Sequence, residues 1–247
     1  MSGFTRRALI GSAAGASGLA AAKLAGSYGL IPPDGGGIWG PGETLTYAAQ
    51  RVLGRDALAR EFRKDQISQP SYANGKPPKD EAYLRSQAAG FADWRLTVDG
   101  MVDRPAEFSV ADLKTHPSSS QITHLACEEG WSFIAEWTGI PLSRVLELVG
   151  ASAQAKYVVY RSIQPRWWDS VDMADALHPQ TLIAYGMNGG DLPDRHGGPL
   201  RVRVPRQLGY KSVKYVTRLT VTDSVDGFGK GKGSFAAERG YAWYNGI

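Results

Sequence analysis

Apolar positions recur along the chain at two spacings. Leu142, Val145, Leu146 and Val149 fall at i, i+3, i+4 and i+7, with Pro141 before them and Gly150 after. That period lays one apolar stripe along an α-helix, with proline suited to its first turn and glycine to its stop. Leu53, Ala57, Leu58 and Phe62 keep a similar spacing and predict a helix over Tyr47–Arg63. Elsewhere the period is nearer two. Trp94–Val98 alternates and runs into Asp99-Gly100, a tight-turn signal. Gln121–Ala126, Tyr157–Ser162, Thr181–Met187 (closed by Asn188-Gly189), Leu200–Val204 and Val213–Thr222 read as further strands. Ser109-Val110-Ala111-Asp112 has the form of a capping box opening a short helix to about Lys114, and Asp172–Leu177 predicts another, ended by His178-Pro179. Many short strands with a few short helices predict an α+β fold of mixed sheets.

The first 26 residues do not read as part of that fold. Arg6-Arg7 precedes an uncharged stretch, Ala8–Ala22, and alanines from Ala20 to Ala25 offer small-residue cleavage positions. This is the pattern of a signal peptide, and the arginine pair suggests the twin-arginine (Tat) route. The stretch is too short and too poor in Leu and Ile to span a bilayer. The expectation is a periplasmic protein handled by the Tat export machinery. Residues 27–64 then form a Gly/Pro-rich linker and an N-terminal helical segment, and 65–247 one domain that includes a long loop over 67–80. The formal charge is +4, and setting aside Arg6, Arg7 and Lys23 leaves +1, so the basic balance gives no reason to expect nucleic acid. With one cysteine, no internal disulfide is possible.

That cysteine, Cys127, follows the 121–126 strand and precedes Glu128-Glu129-Gly130, Trp131 and Trp137. Three readings compete: a small buried hydrophobe, the nucleophile of a Cys–His hydrolase, and a thiolate ligand to a metal. The four histidines (116, 124, 178 and 196) show no zinc-like spacing. His124 is three residues before Cys127, which in a strand puts it on the opposite face, so a hydrolase would need His196. A second constellation starts at His196-Gly197-Gly198. Arg201, Arg203, Arg206, Lys211 and Lys214 follow within fourteen residues, interleaved with glycine. Such a segment is either a phosphate-binding wall or a solvated basic edge strand. Within this segment neither a P-loop nor a G-x-G-x-x-G fingerprint occurs.

Taken together, C-E-E-G-W-S with W-T-G-I-P-L, H-P-Q-T-L-I-A-Y-G-M-N-G, and H-G-G-P-L-R-V-R-V-P-R-Q-L-G-Y-K-S-V-K-Y resemble the sulfite oxidase family of molybdopterin-dependent oxidoreductases. The tail R-G-Y-A-W-Y-N-G-I is similar to its single-domain bacterial branch, which includes the periplasmic methionine-sulfoxide reductase catalytic subunit. The resemblance covers roughly residues 65–247 and implies the sulfite-oxidase-type molybdopterin-binding fold. It implies that Cys127 ligates molybdenum and is catalytic. It implies that His196, Arg201, Ser212, Val213 and Lys214 hold the pterin and its phosphate, with Ser162 and Asn74 in further contact. Trp131 and Trp168 would wall the substrate pocket. The implied reaction is oxygen-atom transfer on a small substrate of sulfite or sulfoxide type. No haem-attachment C-x-x-C-H is present, so electrons would pass to a separate haem protein, possibly membrane-bound. No immunoglobulin-like dimerisation domain is expected. Two other readings stand beside this one: a cysteine hydrolase using Cys127 and His196, and a non-catalytic scaffold of the same fold.

Overall fold

A computed structural model describes residues 29–247. The leader expected over residues 1–26 lies outside the described residues. In chain order the regular elements are α1 (Gly40–Leu53), α2 (Glu81–Ala88), β1 (Arg95–Gly100), β2 (Ala106–Ser109), α3 (Val110–Thr115), β3 (Ser119–Ala126), β4 (Ser132–Pro141), α4 (Leu142–Val149), β5 (Tyr157–Ser162), β6 (Trp168–Asp172), α5 (Met173–Ala176), β7 (Leu182–Met187), β8 (Gly190–Asp191), β9 (Arg201–Arg203) and β10 (Val216–Thr222). The strands form two sheets. One has the order β2-β1-β10-β5-β6, and the other runs β3-β4-β7-β8 with β9 also on β7. The fold is α+β, as the patterning predicts.

One apolar cluster joins the sheets. It draws Leu96 and Val98 from β1, Val158 and Tyr160 from β5, Leu219 and Val221 from β10, Ile183 from β7 and Val202 from β9. The stripe of α4 fills it: Leu142, Val145, Leu146 and Val149 are each no more than 1% exposed. At roughly 1.5–3 kcal/mol per buried large apolar side chain, such a stripe outweighs the modest propensity of an eight-residue helix. Gly150 ends α4 in the left-handed region, at φ 66°. The Ser109–Asp112 capping box forms as expected.

Three expectations are corrected. The N-terminal helix is α1, starting before Tyr47 and stopping at Gly54 rather than running to Arg63. Its buried positions are Tyr47 and Arg51, four residues apart, while Leu53 and Leu58 are exposed. Tyr47 Oη donates to Asp172 at 2.6 Å and its ring packs on Trp243 and Tyr244, while Arg51 bridges Asp172 and Asp175, so a mixed aromatic and polar face rather than the Leu53/Leu58 stripe docks this segment. Asp99-Gly100 makes no two-residue turn: β1 and β2 do pair antiparallel, but the last pair is Val98–Ala106 across a longer connection, and β1 runs on through Gly100 in parallel with β10, where φ is 89° and a Cβ would lie 2.1 Å from the Val221 carbonyl oxygen. The 201–214 segment is no solvated edge. Arg201 and Arg203 are 3% and 0% exposed, on a strand hydrogen-bonded to β7.

Candidate active site and cofactor cradle

β3 shows strict alternation, with Gln121, Thr123 and Leu125 buried. His124 therefore faces the other way, against Phe62. The strand ends at Ala126 and the chain turns. Cys127 N–H donates to the Trp131 carbonyl at 2.9 Å, and Gly130 N–H donates to the Cys127 carbonyl at 3.1 Å. Gly130 takes φ 87°, where a side chain would be strained. The turn leaves Cys127 half-buried, with Sγ 3.2 Å from Glu128 Oε2. Glu129 Oε2 accepts from Asn74 Nδ2 at 2.7 Å and from Trp131 Nε1 at 2.9 Å.

The 196–214 segment forms the facing wall, and two glycines let it close. A Cβ on Gly209 would lie 3.2 Å from the Ala126 carbonyl oxygen and 3.6 Å from the Cys127 Cα. A Cβ on Gly197, at φ 108°, would lie 2.9 Å from the Cβ and Cγ of Lys214. Between the walls is a cavity of about 380 Å³. Of the residues singled out from sequence, Asn74, Cys127, Trp131, His196, Arg201, Ser212, Val213 and Lys214 line it together.

Two do not. Ser162 is buried, and its hydroxyl accepts the Gln164 N–H at 3.1 Å. Trp168 lies in β6 against Phe228 and beneath Arg161. Its neighbour Trp167 lines the cavity instead. Successive side chains at a strand end point to opposite faces, so choosing the second tryptophan of the pair chose the wrong face. Tyr72, Glu128, Glu129 and Tyr210 complete the lining as far as the chemistry is concerned. Trp167 was one residue from a named position, and Glu128 and Glu129 sit beside the cysteine. Tyr210 falls inside the 196–214 run, whereas Tyr72 has no local signal, because its place depends on how the 67–80 loop crosses the site.

The five cations sort into two kinds. Lys211 is paired with Asp169 at 2.6 Å, and Arg206 with Asp175 at 3.5 Å, both out of solvent. These are parts of the framework. Arg201, Arg203 and Lys214 have no carboxylate within salt-bridge distance among the described residues. Arg201 donates to the carbonyls of His196 (2.8 Å) and Ser212 (2.7 Å), and its Nε has no partner. Arg203 lies behind it, donating to the His124 carbonyl at 2.6 Å, and both guanidiniums lie over the fully buried Trp137 ring. Lys214 Nζ donates to the carbonyls of Asn74 (2.7 Å) and Arg195 (2.6 Å).

Burial drives all three downward, with Lys214 reaching about 7 and the nearby Arg201 adding to its fall. A guanidinium does not deprotonate in proteins, so the cost of burying Arg201 and Arg203 stays in the folded chain until an anion offsets it. Such a wall suits a phosphate-bearing ligand. The facing thiol is soft and suits a metal carrying other sulfur ligands.

The same groups do not suit a hydrolase. Burial first, then Glu128, pushes the Cys127 thiol up to about 12. Burial, Arg201 and Lys214 push His196 down to about 4. A thiolate–imidazolium pair needs both shifts reversed.

The model of the oxidoreductase molybdopterin-binding domain matches residues 84–227, more than half of the chain. The chain belongs to this family. Its cofactor is a molybdopterin, and the chain is an oxidoreductase. Against the provisionally named protein-methionine-sulfoxide reductase subunit YedZ1 of Azospira oryzae it is 36% identical over 189 residues, 76% of this chain and 68% of that one. Against the protein-methionine-sulfoxide reductase catalytic subunit MsrP of Xanthomonas axonopodis pv. citri it is 30% identical over 201 residues, 75% of this chain and 62% of that one. The solved sulfane dehydrogenase SoxCD of Paracoccus pantotrophus aligns with TM-score 0.51 and 25% identity, over 55% of this chain and 40% of that one. The chain thus spans about two thirds of the curated relatives it matches. Cys127 and the 196–214 wall lie inside the matched residues, whereas Asn74 lies before them.

Proposed function

We propose that this oxidoreductase holds a molybdenum–molybdopterin cofactor in the 380 Å³ cavity and catalyses two-electron oxygen-atom transfer on a small substrate of sulfite or sulfoxide type. One observation carries this reading: the only thiol in the chain shares a cavity with buried Arg201 and half-buried Lys214, neither of which has an acid partner among the described residues. Cys127 would be the protein ligand to the metal. Arg201 and Lys214, with the Ser212–Val213 backbone, would hold the pterin phosphate, and Arg203 would strengthen the field from behind.

When bound, the cofactor supplies the redox couple and the oxygen-atom chemistry, and the protein supplies position and electrostatics. Coordination deprotonates a thiol, and Glu128 Oε2, 3.2 Å from Sγ, is placed to relay the displaced proton on to solvent and return to its carboxylate form. His196 stays neutral beside the cations, so it presents one donor and one acceptor nitrogen to the pterin. Tyr72, Trp131 and Trp167 line the cavity, with the Tyr72 and Trp131 rings 4.7 Å apart, and would offer apolar surface to the substrate. For a sulfoxide the balance is sulfoxide plus two electrons and two protons to thioether plus water, with a haem-containing partner as electron source. The relatives are themselves named as reductase subunits, which favours a separate electron partner. Export through the Tat system to the periplasm, the leader then being removed from a domain over 65–247, completes the proposal. It rests on the Arg6-Arg7 pattern.

Metal analysis and X-ray absorption on the chain from a molybdopterin-competent host test this. About one molybdenum per chain, with a thiolate shell that shrinks by one sulfur in Cys127→Ser together with lost dye-coupled turnover, is expected. An unchanged sulfur shell in that variant would refute the assignment.

A further inference from the structure

Charges of both signs line the cavity. Arg201 and Lys214 sit on the wall assigned to the cofactor phosphate, and Lys76 is a third lining cation. The thiol end carries Glu128 and Glu129, flanking Trp131. Glu128 Oε2 lies 3.2 Å from Cys127 Sγ. Glu129 is held in place by donors on two sides, Asn74 Nδ2 at 2.7 Å and Trp131 Nε1 at 2.9 Å. Both donors are neutral, so they orient the carboxylate without cancelling its charge. The Asn74 carbonyl in turn accepts from Lys214 at 2.7 Å, which ties the acid end to the cation end through one residue.

An anionic cofactor on the basic wall uses up the positive charge there. The charged lining residues then left unmatched are Lys76, Glu128 and Glu129, among the aromatic rings of Tyr72, Trp131 and Trp167. A site for sulfite or another oxyanion needs the opposite sign, because like charges brought together out of water repel strongly.

We propose that Glu128 and Glu129 are specificity-determining residues that exclude oxyanions from the Cys127 end of the cavity and admit uncharged or cationic oxygen donors, of which a sulfoxide flanked by apolar groups is the matching class. This rests on the molybdenum reading above and narrows it. Glu129 sets the charge, Asn74 and Trp131 set its position, and the indole face receives the apolar part of the substrate.

The test uses the full-length, molybdenum-loaded chain and its Glu128→Gln/Glu129→Gln double variant, in which an amide oxygen can still accept from Asn74 and Trp131. The first readout is the ratio of kcat/KM for dimethyl sulfoxide to that for chlorate, with a reduced dye as donor. It is expected to fall by about tenfold or more in the double variant, and the wild-type ratio to shrink as salt rises. The second readout needs no turnover. Trp131 emission, isolated by difference from Trp131→Phe, is quenched by iodide and by acrylamide. Protection from iodide but not from acrylamide is expected in the wild type and should vanish in the double variant. Equal quenching by the two agents in the wild type, or protection that survives both substitutions, would overturn the charge filter. If iodide protection follows the carboxylates while no oxygen donor is ever turned over, the filter stands and the molybdenum reading falls. If dimethyl sulfoxide and chlorate turn over alike and quenching shows no protection, the molybdenum reading stands and the filter falls.

Discussion

Lys214 makes the empty cradle costly in a way that pH should reveal. Its ammonium is drawn down from an ordinary 10.5 to about 7, first by burial and then by Arg201 and Arg195. The unfolded chain therefore binds more protons than the folded one between those values, and stability rises with pH across that window. Linkage over pH 7 to 9 gives a gain of about 2 kcal/mol from this one group. Cys127 opposes it, since its thiol is pushed from 9.0 to about 12 and favours the protonated folded form. That opposition takes back at most about 0.4 kcal/mol by pH 9, and less once solvent screening of the half-exposed thiol is allowed for. For a chain of 247 residues, the net gain should raise the midpoint of unfolding by about 3–7 °C. The assay is calorimetry on cofactor-free protein, from a host that makes no molybdopterin, at pH 7, 8 and 9. Lys214→Met should be more stable than the parent at pH 7 and lose most of the slope. Loaded protein should lose it too, because a bound anion favours the charged lysine. A midpoint that falls or stays flat from pH 7 to 9 in the empty parent, or a slope that survives in Lys214→Met, would refute the reasoning.

Other outcomes follow from particular contacts. Gly197→Ala should cost about 1–3 kcal/mol, read as a lower melting midpoint, since φ 108° and the Lys214 stem 2.9 Å away both oppose a side chain. Its cofactor content on purification should fall as well. Asp175→Asn removes the acid shared by Arg51 (2.9 Å) and Arg206 (3.5 Å) and should cost about 3–5 kcal/mol in denaturant unfolding. Trp167→Ala should weaken substrate affinity while moving stability by about 0.5 kcal/mol or less, because that ring is 53% exposed at the cavity. Trp168→Ala should do the reverse, lowering stability by about 1–3 kcal/mol through lost packing on Phe228 and Arg161, with KM unchanged.

Some of this was legible before any coordinates. The helix over Leu142–Val149 showed in its i, i+3, i+4, i+7 stripe because that stripe is what buries it. β5 showed as well, since β-branched residues bounded by turns leave little choice. That His124 faces away from the side Cys127 serves followed from strand parity: His124 lies against Phe62 while Cys127 lines the cavity. The two stretches that make the site were recognisable as stretches. Two things were not legible: α1, which docks through Arg51 and Tyr47 rather than an apolar stripe, and the tryptophan of the 167–168 pair that reaches the cavity. Each depends on partners more than a hundred residues away or on where a strand begins, and local periodicity holds neither.

By itself, then, the amino-acid order determined the elements whose own burial is periodic, the presence of one thiol, and the basic, glycine-rich run from His196 to Lys214. It did not determine which of the five cations in that run stay unpaired. Tertiary structure decided that, by bringing Asp169 to Lys211 and Asp175 to Arg206 while, among the described residues, bringing no acid to Arg201, Arg203 or Lys214. A charge becomes a binding site or a strut according to what folds against it, and that is set by contacts far apart along the chain.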